Sequence, residues 1–275
     1  MTEITDFSRL CVHTITTKPW DINTASKKFA ASGIGGITIW RDALIGQNLP
    51  KVKSMLGDLG VEVVSLCRGG FFPSTDAPKR KLAIEDNLHA IDQANAIGAP
   101  MMVMVCGADP RQSLEDSRKQ IAEGIMTCLD HASAAKVQLT IEPLHPMYAG
   151  DRSAINTLAQ ANDMAEEIDS PWVGIALDVY HLWWDSDLER QIERCGLNGN
   201  LSAFHICDWK TPTLDMLNDR GLMGEGCIDL KKIRGWVEKA GFKGFHEAEI
   251  FSNIYWQQDQ DLYLQKIKDA YLKYS

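Results

Sequence analysis

The chain has 275 residues, 45% of them hydrophobic, so it can bury a sizeable core, and this length suits a single (β/α)8 barrel over residues 1–275 (about 250 residues is typical) better than two domains. Its formal charge of -9 and pI near 5.3 count against nucleic acid as a partner, because phosphate neutralisation needs a basic face and the densest cationic run is only Lys79, Arg80 and Lys81. The seven cysteines stand singly with no CxxC pair, MTEITDFSRL carries no charged-then-apolar leader pattern, and no apolar run approaches ~18 residues, which together lead to the expectation of a reduced, cytoplasmic, membrane-free protein.

Strand and helix signals alternate along the chain. Short β-rich runs are expected at Leu10 to His13, Gly36 to Trp40, Val61 to Cys67 and Met101 to Cys106, and again at Val137 to Glu142, Val173 to Asp178, Leu201 to Cys207 and Gly244 to Ile250. Between them lie helical spacings. In AIEDNLHAIDQANAIG the residues Ile84, Leu88, Ile91, Ala94 and Ile97 share a face, and Gly98 stops the helix before Pro100. SLEDSRKQIAEGIMTCLDHASAAK and INTLAQANDMAEEI repeat the pattern. Eight strands alternating with helices imply parallel pairing, and a closed barrel fits better than an open sheet. No GxGxxG follows the first strand, so a dinucleotide fold is not indicated; GIGG at Gly33 to Gly36 precedes a strand and reads as a turn.

Four runs end on a group that can ligate a cation: Glu142, Asp178, His205 and Glu249. Strand parity sorts them. Gly174, Ala176 and Asp178 face one way and Ile175 and Leu177 the other; Ala203, His205 and Cys207 oppose Phe204 and Ile206; Gln138, Thr140 and Glu142 oppose Val137, Leu139 and Ile141. Bulky apolar residues belong under the outer helices, so each candidate ligand points inward at the C-terminal mouth, where barrel active sites lie. Buried charges need partners, and one divalent ion would serve all four. Three carboxylates and an imidazole favour Mn2+ first, with Mg2+, Co2+ or Zn2+ as other candidates. Glu247 shares a face with Glu249; Glu249 lies nearer the mouth and takes the assignment, with Glu247 a layer deeper.

Around this set, His181 and His145 each stand three residues past a ligand, and Arg41, Arg68 and Arg220 are candidate substrate anchors, Arg220 from the long DWKTPTLDMLNDRGLMGEG connection. Trp183 and Trp184 either wall a sugar face or pack against loops, and Gly224 to Gly226 either meets an anion or makes a plain turn.

The order IEPLHP, LDVYH, FHICD, GEG and EAEIF resembles the xylose-isomerase-like sugar isomerase/epimerase superfamily, over most of the chain and most specifically after Val137. The resemblance implies a metal held by Glu142, Asp178, His205 and Glu249, with Glu142 and Glu249 as acid/base groups and His181 on substrate oxygens. It implies an isomerase or epimerase acting on a small polyhydroxy carbonyl substrate through a metal-stabilised enediolate. Two positions depart from the ketose 3-epimerase pattern: Tyr148 stands where a further glutamate is expected, and Thr211, beside Lys210, where an arginine is expected. The alternatives are a dehydratase or lyase on a keto-sugar or keto-inositol, an abasic-site endonuclease, and a sugar-binding barrel without activity. Eight tryptophans and an open final helix are compatible with a homodimer or homotetramer.

Overall fold

A computed structural model describes residues 3–275; the expectation for residues 1 and 2, at the head of MTEITDFSRL and of the 1–275 domain, lies outside them. The first seven barrel strands are β1 (Leu10–His13), β2 (Gly36–Trp40), β3 (Glu62–Gly70), β4 (Met101–Val105), β5 (Gln138–Glu142), β6 (Val173–Asp178) and β7 (Leu201–Ile206). A two-stranded antiparallel ribbon follows, β8 (Asp208–Trp209) with β9 (Arg220–Gly221), before the last barrel strand, β10 (His246–Ala248). The eight barrel strands are parallel throughout and close in the order β1-β10-β7-β6-β5-β4-β3-β2. The fold is a single (β/α)8 barrel.

Helices cover its outside, among them α1 (Ile22–Ala31), α2 (Leu49–Leu59), α3 (Ala77–Ile97), α4 (Leu114–Ala135) and α5 (Leu158–Ile168). Then come the short α6 (Val179–Leu182), α7 (Leu188–Leu197), α8 (Leu230–Lys239) and α9 (Gln260–Tyr274). The helix starts are capped as their sequences dictate: Ser113 accepts from Asp116 N, Thr157 from Gln160 N and Asp229 from Lys232 N. α9 is not the open helix that the sequence suggested, because Tyr263, Leu264, Ile267 and Tyr271 bury one of its faces. No helix among the described residues is long and apolar enough to cross a membrane.

The core divides by parity. Ile175, Leu177, Phe204, Ile206, Leu139 and Ile141 join the large layer between strands and helices, whereas Cys67, Val103, Ala176 and Ala203 form a small cluster of their own inside the barrel. Small inward residues leave room at the mouth for the polar groups above them. Cys207 is an exception to the expected alternation: β7 ends at Ile206, and the cysteine packs with the outer layer. All seven cysteines are free and six are buried.

β3 runs three residues past its expected end. The side-chain carboxamide of Asn87 on α3 explains how: its Oδ1 accepts from Gly70 N at 2.7 Å and its Nδ2 donates to Gly70 O at 2.8 Å. A buried asparagine thus supplies both hydrogen bonds of a strand edge from a helix whose periodicity suggested only apolar contacts; Ile84 and Leu88 are correspondingly only partly buried.

Candidate metal centre and substrate cavity

Strand register brings the ligand candidates together. Asp178 pairs with His205 across β6 and β7, His205 pairs with Glu247 across β7 and β10, and Glu142 closes β5 opposite Val105. Glu249 follows β10 by one residue and keeps the inward parity of Glu247, while Ala248 and Ile250 turn to the outer layer. Ligating atoms of Glu142, Asp178, His205 and Glu249 all lie within 4.8 Å of one another, and all four residues are buried.

The geometry separates the two glutamates of the last strand. Glu249 stands at the mouth, with Oε1 3.0 Å from His13 Nδ1 and Oε2 accepting from Arg220 Nη1 at 2.9 Å. Glu247 lies a layer below. Its Oε2 accepts from Thr38 Oγ1 at 2.6 Å and sits 3.2 Å from His13 Nε2 and 3.8 Å from His205 Nε2. Glu247 therefore braces the two imidazoles from beneath.

His13 was the group that the sequence reading passed over. It ends β1 as Asp178 ends β6, its ring centroid is 4.8 Å from that of His205, and its nitrogens reach both Glu247 and Glu249. Its position at a strand end was a legible signal. Trp40, at the end of β2, is a second such residue: its Nε1 donates to His13 Nδ1 at 3.3 Å, and its indole lines the cavity.

Arg220 enters differently from a free anchor. Delivered by β9, it is almost wholly buried; Nη1 donates to Asp178 Oδ2 at 2.8 Å and to Glu249, while Nη2 reaches His181 Nε2 at 3.2 Å. The guanidinium also lies over Tyr180, 4.4 Å from the ring centroid. It is the internal counter-ion of two carboxylates, and it comes from the connection in which Thr211 had taken the expected arginine's place. Because His181 Nε2 accepts from Arg220, its proton sits on Nδ1, which has no hydrogen-bond partner among the described residues.

Burial pushes the Asp178 carboxyl up to about 7, against the opposing pull of Arg220 and with help from the charges of Glu249 and Glu142. Burial works against the imidazolium of His205, yet Glu247, Glu142 and Glu249 outweigh it and hold its pKa at about 10. For Glu249 burial is likewise overcome, by His13 and Arg220, and its carboxyl lies well below the ordinary range. Burial and the Arg220 charge keep His181 neutral, far below the usual imidazole value.

The donor set suits a divalent cation. Glu142 Oε1 and both nitrogens of His205 are buried without a hydrogen-bond partner, although Glu142 Oε1 is only 3.0 Å from His205 Nδ1. Buried polar atoms left without a partner at this spacing are what an ion would satisfy, with His205 giving up its proton to ligate. Above them opens a cavity of about 270 Å3, lined in part by Trp40, Arg68, Tyr148, Arg152 and Leu217 together with His181 and Arg220.

Other candidates lie elsewhere. His145 does not face this cavity; it caps the 3-10 turn Pro146–Tyr148 and sits between Trp184 and Trp209, with centroids 5.6 and 5.0 Å away. Trp183 and Trp184 do not line the cavity either; Trp183 packs near Trp209, and Trp184 Nε1 donates to His181 O at 2.7 Å. Arg41 is committed to Asp86 on α3 through two 2.8 Å bonds. The amides of Gly224 and Gly226 do meet an anion, but an internal one: both donate to Asp208 Oδ2 at 2.9 Å. Any side chain at Gly226 would strike Trp209 O, which accounts for the glycine.

The family description "Xylose isomerase-like TIM barrel" matches residues 27–269. Among curated proteins, an inosose isomerase from Halalkalibacterium halodurans is 22% identical over 204 residues, 73% of this chain and 70% of that one. Among solved structures, protein SMc04130 from Sinorhizobium meliloti 1021 superposes with a TM-score of 0.92 at 43% identity, covering 96% of this chain and 97% of that chain. The IolI protein, crystallised with a bound zinc atom, superposes with a TM-score of 0.84 at 19% identity over 96% of each chain.

Proposed function

The chain belongs to the xylose isomerase-like TIM barrel family, and from that premise we propose that it is a divalent-metal-dependent isomerase or epimerase of a small sugar or other polyhydroxy carbonyl compound. The observation that carries this reading is the convergence of Glu142, Asp178, His205 and Glu249 at the ends of four strands, with Glu142 and Glu249 lining the cavity above. These four residues would hold the ion, with Mn2+ as the first choice for so oxygen-rich a set and Mg2+, Co2+ or Zn2+ as substitutes. The zinc in IolI and the inosose isomerase activity in the relative's name support an ion and a carbohydrate here.

A bound divalent ion supplies Lewis acidity toward the substrate's carbonyl and neighbouring hydroxyl oxygens. The protein's own groups do the rest. Glu142 and Glu249 flank the cavity floor; one takes the proton from the carbon beside the carbonyl, and the other returns it from the opposite face or at the adjacent carbon. Neutral His181 donates from Nδ1 to a substrate oxygen, and Arg220 fixes that tautomer while balancing Asp178 and Glu249. Tyr148 Oη donates to Met216 O, and Tyr180 Oη does the same at 3.2 Å, which holds the 211–219 segment over the mouth where Leu217 closes one wall.

The test is solvent-deuterium exchange followed by NMR, with manganese-loaded protein and a panel of ketoses and keto-inositols. Deuterium at the carbon beside the carbonyl is the expected result. An ultraviolet-absorbing enone would reassign the protein as a dehydratase or lyase, and cleavage of abasic DNA by a chain holding several zinc ions would make it a nuclease. Exchange in none of the compounds would overturn the reading.

A further inference from the structure

The cavity that Glu142 and Glu249 line also carries two cations that the proposed chemistry leaves unused. Arg68, near the end of β3, and Arg152, after the 3-10 turn, both line the cavity. Each guanidinium rests against an aromatic ring, Arg68 at 4.3 Å from the Phe71 centroid and Arg152 at 5.6 Å from that of Tyr148. Aromatic faces orient such groups but neutralise little charge. Among the described residues, no carboxylate lies within ion-pair distance of either, whereas Arg41 next door is fully paired with Asp86 and Arg220 with Asp178 and Glu249. The two are near enough to feel each other: burial first, and then the facing charge of Arg152, draws the Arg68 pKa below its ordinary value.

Two half-buried guanidiniums sharing one cavity repel unless an anion sits between them, and planar donor forks match carboxylate and phosphate oxygens. Neutral hydroxyls would accept hydrogen bonds but would leave the repulsion in place. Arg68, with Trp40, also borders an adjoining cavity of about 440 Å3, which gives the remote end of a ligand space away from the ligand cluster.

We propose that the substrate is anionic: a polyhydroxy carbonyl compound that carries a carboxylate or a phosphate ester at the end remote from the reacting carbon, held by Arg68 and Arg152. This rests on the isomerase reading for the reacting end and adds the chemistry of the other end.

The experiment uses manganese-loaded full-length protein in the exchange assay, with a neutral ketose, a matching keto-sugar acid and a matching ketose phosphate. The anionic compounds are expected to exceed the neutral one in kcat/KM by about tenfold or more, and whichever of the two is preferred identifies the anion. Arg68→Met and Arg152→Met are each expected to raise KM for that compound by a similar factor, with metal content unchanged at one ion per chain. Equal or better use of the neutral ketose, or KM values unmoved by both substitutions, overturns the anionic assignment while leaving the isomerase reading intact. Should no compound exchange, the isomerase reading fails by itself, and calorimetric titration with inorganic phosphate and with acetate decides the anion site. Binding that the double variant loses supports it; no binding, or binding that the double variant retains, overturns it.

Discussion

Two groups of residues at the barrel mouth differ in charge. The group built by β5, β6, β7 and β10 presents three carboxylates and an imidazole, braced by Glu247 and His13. β2, β3 and the 148–152 segment that follows β5 present Trp40, Tyr148 and two guanidiniums with no ion-pair partner among the described residues. Under the proposed function the contrast is a division of labour: acids gathered on adjacent strands would serve an ion and proton transfer, while the cations and rings would recognise the rest of the ligand. Arg220 is the hinge between the two, a cation of the second kind that is bound to acids of the first.

Breaking the acidic side should have the largest effect. Asp178→Ala is expected to strip the ion and abolish measurable turnover, checked by elemental analysis beside the exchange assay. Glu142→Gln should keep the fold and lower kcat by about 10²–10⁴-fold, the usual contribution of a positioned acid/base group.

Arg220→Met sharpens the comparison because it leaves Asp178 and Glu249 facing each other without their counter-ion. Breaking a buried pair in this way costs about 3–5 kcal/mol. The metal-free variant should therefore melt well below wild type, and manganese should recover more stability in the variant than in wild type. Thermal denaturation with and without the ion reads both.

Glu247→Gln tests the layer beneath. Loss of the group that braces His13 and His205 should weaken metal affinity by about 10–100-fold, measured by chelator competition.

Affinity should also depend on pH in a defined sense. In the metal-free protein His205 keeps its proton up to about 10 and Asp178 up to about 7, so binding an ion expels protons. Affinity is therefore expected to rise from pH 6 to pH 8, more steeply below pH 7, where Asp178 and His205 both still hold protons, than above it, where only His205 does. Proton release during calorimetry in two buffers checks the sign. His145→Gln should matter least, changing kcat/KM by about twofold or less, because that ring packs between Trp184 and Trp209 outside the cavity.

Much of this was legible in the sequence because a barrel strand writes its parity into two-residue steps. The bounds of β1, β2 and β6 coincide with those expected from the β-rich runs, and alternation of small and bulky residues turned Glu142, Asp178 and His205 inward. Where the reading fell short, the cause was a partner distant in sequence. β3 continues through Arg68, Gly69 and Gly70 because Asn87 on the next helix holds its end, and no local propensity announces that. Arg220 looked like one cation in a long loop; its burial follows from a ribbon with Trp209 that only the folded chain defines. His145 and His181 stand at the same offset from a candidate ligand, yet only His181 faces the cavity, since the 3-10 turn after His145 and the helix after Asp178 carry the two rings in different directions. Arg68 and Arg152, which line one cavity, stand 84 positions apart, and neither neighbourhood carries a trace of the other.

The most direct test is a crystal grown with manganese and measured for anomalous scattering. The account requires a single strong peak at roughly 2.0–2.3 Å from donor atoms of Glu142, Asp178, His205 and Glu249. A map with the ion held elsewhere, or with these four side chains still joined only to one another and to Arg220 at saturating manganese, would contradict it.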